Sequence, residues 1–117
     1  MSGASSYYGG LAAEDGVERS YADQGHEIAG RRWRCAAGEI DLITRKGGEV
    51  IFVEVKKARS IPEAAQRLGR RQQARIALAA EVFLGGEPAG TDTPARFDVA
   101  LVDRTGQMEI IENAFAA

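Results

Sequence analysis

The stretch from Gly38 to Lys56, GEIDLITRKGGEVIFVEVK, constrains this chain more than any other. Ile40 and Leu42, then Val50 and Phe52, mark two apolar runs with period-2 character, and Gly47-Gly48 between them supplies the positive φ angles of a tight primed turn. The turn sets the register of the predicted hairpin. With Gly47 and Gly48 as its loop, Lys46 faces Glu49, Asp41 falls opposite Glu54, and Glu39 falls opposite Lys56. Side chains two apart share a face, so Glu39, Asp41, Glu54 and Lys56 are expected to point the same way.

Such a cluster needs compensation. Carboxylates opposed across a strand pair have Cβ atoms roughly 5 Å apart and repel each other. A divalent cation compensates them, because Mg2+ is usually held by one or two carboxylates, with waters and substrate phosphate completing its shell. Asp41 and Glu54 are the candidate ligands, and the backbone carbonyl of Val55 is a third hard donor. Lys56 then sits beside the cation, placed to contact a phosphate or help orient an attacking water. The alternative is a surface ion pair between Glu39 and Lys56, with Asp41 and Glu54 solvated on an exposed sheet face. Against it, Glu54 and Lys56 are embedded in Val50-Ile51-Phe52-Val53-Glu54-Val55-Lys56, the pattern of a central strand covered on both sides.

The same residues carry a resemblance. An Asp, a hairpin turn and then Glu-x-Lys resembles the PD-(D/E)XK nuclease superfamily. Gly38-Glu39-Ile40-Asp41-Leu42-Ile43, Phe52-Val53-Glu54-Val55-Lys56 and Arg96-Phe97-Asp98-Val99 together resemble the YraN family, an endonuclease-like group similar to Holliday junction resolvases. The resemblance runs over residues 10–115. It implies an α/β fold with a restriction-endonuclease-like core, a mixed central β-sheet flanked by helices. It also implies Mg2+- or Mn2+-dependent hydrolysis of DNA phosphodiesters, on branched or single-stranded substrates, with Asp41, Glu54 and Lys56 as catalytic residues. Glu14 matches an acidic residue on that family's first helix, and Glu39 is a candidate accessory acid. Resolvase-like chemistry on two strands needs two sites, with which a homodimer is compatible. The chain departs from the family in lacking a longer segment with a Phe-Gly pair after the motif lysine, and a lysine near where Gln72 falls. Arg70 or Arg71 is the candidate substitute for that charge. The competing reading is a nucleic-acid-binding or adaptor module that keeps the nuclease fold without its chemistry.

Charge is distributed in a way that bears on substrate. The net charge of −2 argues against coating nucleic acid by bulk electrostatics. Yet from Lys56 to Arg75 the residues Lys56, Lys57, Arg59, Arg67, Arg70, Arg71 and Arg75 are accompanied by Glu63 alone, and acids predominate from Glu81 onward. Lys57, Arg59, Arg67, Arg70, Arg71 and Arg75 are therefore candidate phosphate contacts, since a purely solubilising helix face would carry interleaved acids. With one cysteine, Cys35, an intramolecular disulfide is excluded, and with His26 as the one histidine so is a zinc site of ordinary composition. Any metal here is expected to be oxygen-bound.

The remaining elements follow from periodicity. A chain of 117 residues, 44% hydrophobic, is expected to form one domain over residues 10–117, preceded by a mobile arm over residues 1–9. No apolar run approaches the ~20 residues of a membrane span, and no basic-then-apolar leader is present, so a cytoplasmic protein is expected. Leu11, Ala12, Val17 and Tyr21 predict a helix between Gly10 and Gly25, with Glu14, Asp15 and Glu18 in its first half, where acids suit the helix dipole. Residues 26–35 predict an irregular strand with Trp33 packed, Cys35 a small core residue, His26 at the surface, and Arg31, Arg32 and Arg34 solvated. Ser60-Ile61-Pro62-Glu63 reads as a capping box opening a long helix whose apolar face is Ala65, Leu68, Ile76, Ala79 and Phe83, weakened or interrupted at Gly69 and ended by Gly85-Gly86. After a surface loop over residues 85–95 come a strand through Phe97, Val99 and Leu101, a turn at 104–107, a short strand from Met108 to Ile111, and Phe115 as an anchor.

Overall fold

The hairpin forms as its sequence requires. In the computed structural model, which describes residues 3–116 (residues 3–10 by their backbone only), Gly47 and Gly48 adopt φ 61° and 82° and join β2 (Gly38–Lys46) to β3 (Glu49–Lys57). Lys46 pairs with Glu49, and the ladder runs from there to Leu42↔Val53. That is the expected register, but the ladder stops one position short of Asp41 and Glu54.

Around the hairpin lies a five-stranded sheet in the order β1-β2-β3-β4-β5, with β1 Glu27–Cys35, β4 Ala95–Val102 and β5 Met108–Phe115. β3 and β4 are parallel and the other neighbours antiparallel, so the sheet is mixed. Parallel neighbours need a crossover connection, and α2 (Ile61–Ala65) and α3 (Arg70–Leu84) supply it. These helices cover one face, where Ile40, Ile43, Val50, Phe52 and Phe97 pack against Ile76, Ala79, Ala80 and Leu84. The other face belongs to α1 (Gly3–Asp23), whose Ala13, Val17 and Tyr21 pack on Leu42, Ile51, Val53, Ala100 and Val102. β3 is thus central and covered on both sides. The arrangement is an α/β fold compatible with the restriction-endonuclease-like core that the resemblance implies. Among the described residues no helix is long and apolar enough to cross a membrane.

Several local expectations are corrected. The backbone of α1 is already helical at Gly3, ahead of the expected start at Gly10, because the Gly9-Gly10 pair weakens a helix without blocking it as proline would. Residues 1 and 2 lie outside the described residues. Glu14, Asp15 and Glu18 consequently sit in mid-helix, where the dipole does little for them. The stop at Gly25 is as expected, with φ 90° and its N–H donating to the Ala22 carbonyl at 3.0 Å. His26 is buried, not exposed. The helix end turns it inward, its ring edge-on to Tyr21 and its Nδ1 2.9 Å from Thr44 Oγ1, and burial followed by Lys46 and Arg96 lowers its pKa.

The crossover is two helices instead of one. Ser60 caps α2 by accepting from the Glu63 N–H, and Gly69 is the N-cap of α3. The break between them resets the helical phase, so Ala64 is buried where Ala65 was expected, and Ala65 is exposed. β5 continues past Ile111 to Phe115, bending where Asn113 takes φ 52°. Phe115 stacks on Phe97 at 4.9 Å, and Trp33 packs edge-on against Phe83 at 5.5 Å, both as expected.

Candidate active site

The site opens where β2 and β3 part. Beyond Leu42↔Val53 the backbone of Val55 finds no ladder carbonyl on β2, and its N–H donates instead to Asp41 Oδ2 at 2.8 Å. In a strand a residue's N–H and C=O lie on the same side, so the Val55 carbonyl also faces this gap. Asp41 is held at the point of divergence. Its neighbours Ile40 and Leu42 pack on opposite faces of the sheet, and Asp41 lines concavities on both.

On the α3 side Glu39, Asp41 and Glu54 of the sheet meet Gln72, Arg75 and Ile76 of the helix around a concavity of about 220 Å³. Glu54 is 5% exposed. Its Oε1 lies 3.7 Å from Lys56 Nζ, and its Oε2 is buried without a hydrogen-bond partner. Burial first, then the adjacent Asp41, pushes the Glu54 carboxyl far above the usual carboxylate range, with Lys56 opposing. An unsatisfied buried carboxylate oxygen costs stability unless something positive meets it. Lys56 is oriented from the other side, donating to Gln72 Oε1 at 2.8 Å. Gln72 stands near where the resembling family carries a lysine. A neutral acceptor there holds the Lys56 ammonium without cancelling its charge.

On the α1 side Glu14 and Glu18 approach Asp41 from the helix, sharing a concavity of about 160 Å³ with Arg31 and Arg32. Arg32 Nε donates to Glu14 Oε2 at 2.8 Å, and Arg31 pairs with Glu18. Arg34 lies 3.7 Å from Glu39. The three arginines are exposed, as expected, and in addition each lies beside one of the acids around the site. Burial raises the Glu14 pKa, Asp41 and Glu39 raise it further, and Arg32 opposes them.

The oxygen donors suit a hard divalent cation. Asp41 and Glu54 border the gap, strand geometry turns the Val55 carbonyl toward it, and the orphaned Glu54 oxygen is an acceptor that a cation would satisfy. Among the described residues no group of three or more His, Cys, Asp or Glu side chains forms a cage for a metal. The shell would therefore be completed by water and substrate, as Mg2+ sites commonly are.

The basic residues divide. Arg70, Arg71 and Arg75 are exposed on α3, and Arg75 borders the carboxylate concavity. Arg59 and Arg67 both lean on Glu63, at 3.9 and 3.3 Å, so the one acid in the stretch is interleaved after all. Lys57 leaves the group: strand alternation places it on the α1 side, beside Arg104 and away from α3. Reading the sequence also missed a buried network. Asp98, fully buried, accepts from Tyr21 Oη at 2.7 Å, Arg96 Nε at 3.0 Å and the Asn113 N–H at 3.0 Å, tying α1 to β4 and β5. A charged residue at an inward position of an apolar strand was the available signal.

Comparison with known proteins places the chain in a family. The model of the uncharacterised protein family UPF0102 matches residues 13–102. A UPF0102 protein of Cereibacter sphaeroides (strain ATCC 17029) is 61% identical over the full length of both chains. One from Ruegeria pomeroyi is 54% identical, covering 97% of this chain and 92% of the relative. One from Azorhizobium caulinodans is 44% identical, covering 91% and 81%. The chain belongs to the UPF0102 family, the YraN-like group of endonuclease-like proteins.

Proposed function

We propose that the protein is a Mg2+- or Mn2+-dependent DNA endonuclease that hydrolyses phosphodiesters in branched or otherwise irregular DNA. The observation that carries this reading is Glu54 Oε2, buried and unpartnered beside Asp41 where two central strands part. Asp41, Glu54 and the Val55 carbonyl would hold the cation. When bound, it would polarise the scissile phosphodiester and offset charge developing there.

The chain's own groups do the rest. The Val55 N–H fixes the Asp41 carboxylate, so that ligand loses little freedom on engagement. Gln72 and Glu54 hold the Lys56 ammonium beside the carboxylates, where it can stabilise charge on the phosphate or orient a water. Glu14 completes the acidic pocket from α1. Arg70, Arg71 and Arg75 on the neighbouring helix would bind the DNA backbone, with Arg75 nearest the carboxylates. A homodimer would bring two such sites to the two strands of one substrate.

The test is a cleavage panel of linear, single-stranded, flapped and four-way-junction DNA with Mg2+ and with Mn2+, using Glu54→Ala as control. Cleavage that needs the cation and is lost in the variant supports the proposal. Binding of branched DNA that survives Asp41→Ala, with no cleavage under either cation, makes the protein a binding or adaptor module instead. Activity insensitive to chelator or to Glu54→Ala rejects the site.

A further inference from the structure

Arg32 has φ 47°, a left-handed conformation that residues other than Gly, Asn and Asp seldom adopt. Regular alternation along β1 would send Arg31 and Arg32 to opposite faces of the sheet. Instead both meet α1, Arg31 at Glu18 and Arg32 at Glu14, while Trp33 returns to the α3 side. The left-handed residue accounts for that break. In the β1–β2 register Arg32 lies between the pairs Arg31↔Leu42 and Trp33↔Ile40, which sets its backbone opposite Asp41. Glu14 and Asp41 therefore approach each other beside one guanidinium, in a shared concavity. Both members of the Arg32–Glu14 pair keep contact with solvent, their side chains 39% and 25% exposed, so the pair is weak enough to exchange.

We propose that Arg32 is a positioning residue, the counter-ion that keeps Glu14 at the edge of the Asp41–Glu54 site until a divalent cation displaces it. This rests on the cation site proposed above. Without a cation, Asp41 and Glu39 repel Glu14, and Arg32 offsets the repulsion. With one bound, Glu14 is attracted where it was repelled, and the arginine becomes a competitor.

The competition predicts a sign that a purely structural role would not produce. Mn2+ affinity is measured by calorimetry for the wild type, Arg32→Asn, Glu14→Gln and the double variant, with Arg31→Asn as a control for bulk charge. Asparagine tolerates the left-handed backbone, so the fold should be kept. Arg32→Asn should bind Mn2+ about two- to five-fold more tightly, the range an exposed ion pair supports. Glu14→Gln should bind it more weakly, and adding Arg32→Asn to that variant should change nothing further. Unchanged or weaker binding by Arg32→Asn, no weakening in Glu14→Gln, or equal tightening in the Glu14→Gln background or in Arg31→Asn would overturn the inference alone. Absence of Mn2+ binding by the wild type would overturn the cation site and this inference with it.

Discussion

Glu54 offers a test that needs no substrate. Burial and Asp41 raise its pKa from 4.5 to about 9. A carboxyl whose folded pKa is raised leaves stability intact below its unfolded pKa and erodes it as pH climbs toward the folded value, because the unfolded chain ionises first. The full slope is about 1.36 kcal/mol per pH unit. Between about pH 5 and about pH 8 this one group should cost the metal-free protein about 2–4 kcal/mol, a large share of the 5–15 kcal/mol typical of a domain. Glu54→Gln keeps the shape and removes the titration. Urea denaturation in chelator should show wild type and variant close in stability near the acid end and diverging steadily above it, with the variant more stable. Mg2+ should then restore the wild type at high pH and leave the variant unmoved, since a ligand binding only the folded state stabilises it. Parallel pH profiles for the two proteins would refute the assignment of Glu54 as a buried carboxyl that ionises well above the usual range.

Other predictions follow from the same geometry. Lys56→Ala should chiefly lower the cleavage rate with little loss of DNA affinity, because its ammonium stands at the carboxylates, whereas Arg70→Ala should weaken binding and reduce the salt slope by about one unit while leaving cleavage at saturating protein nearly normal. Filter binding across a salt series and single-turnover rates separate the two, and matching defects would contradict the division into catalytic hairpin and docking helix. Asp98→Ala should destabilise by about 3–5 kcal/mol, because it strips partners from Tyr21, Arg96 and the Asn113 N–H at once, and a loss below about 1 kcal/mol in urea titrations would mean the network is not a structural pin.

What could be read from the chain alone is what local chemistry decides. Two glycines and alternating apolar residues specify the hairpin, its register and hence the approach of Asp41 to Glu54, because turn geometry and pleat act over a few residues. A serine and glutamate around a proline specify the start of α2 in the same way. The partnerships that make the site specific are not local. Gln72 meets Lys56 and Arg32 meets Glu14 only because separate elements dock against one sheet, and Tyr21 reaches Asp98 across most of the chain. His26 read as a surface residue because its burial depends on how α1 ends against β2, and Lys57 read with the α3 arginines because sequence adjacency conceals the face of a strand. The parting of β2 and β3 left no mark in periodicity either, since Asp41 takes up a ladder bond that the pattern assigns to backbone.

The proposed function stands on one place, the gap between Asp41, Glu54 and the Val55 carbonyl, where a divalent cation is expected to bind. An anomalous difference map from crystals soaked in Mn2+ measures that place directly. A peak is expected within ligand distance, roughly 2.0–2.6 Å, of those oxygens, and should disappear in crystals of Glu54→Ala. A map with no peak there, or one whose peak lies instead among Asp15 and Glu18 of α1 and is indifferent to Glu54→Ala, would contradict it.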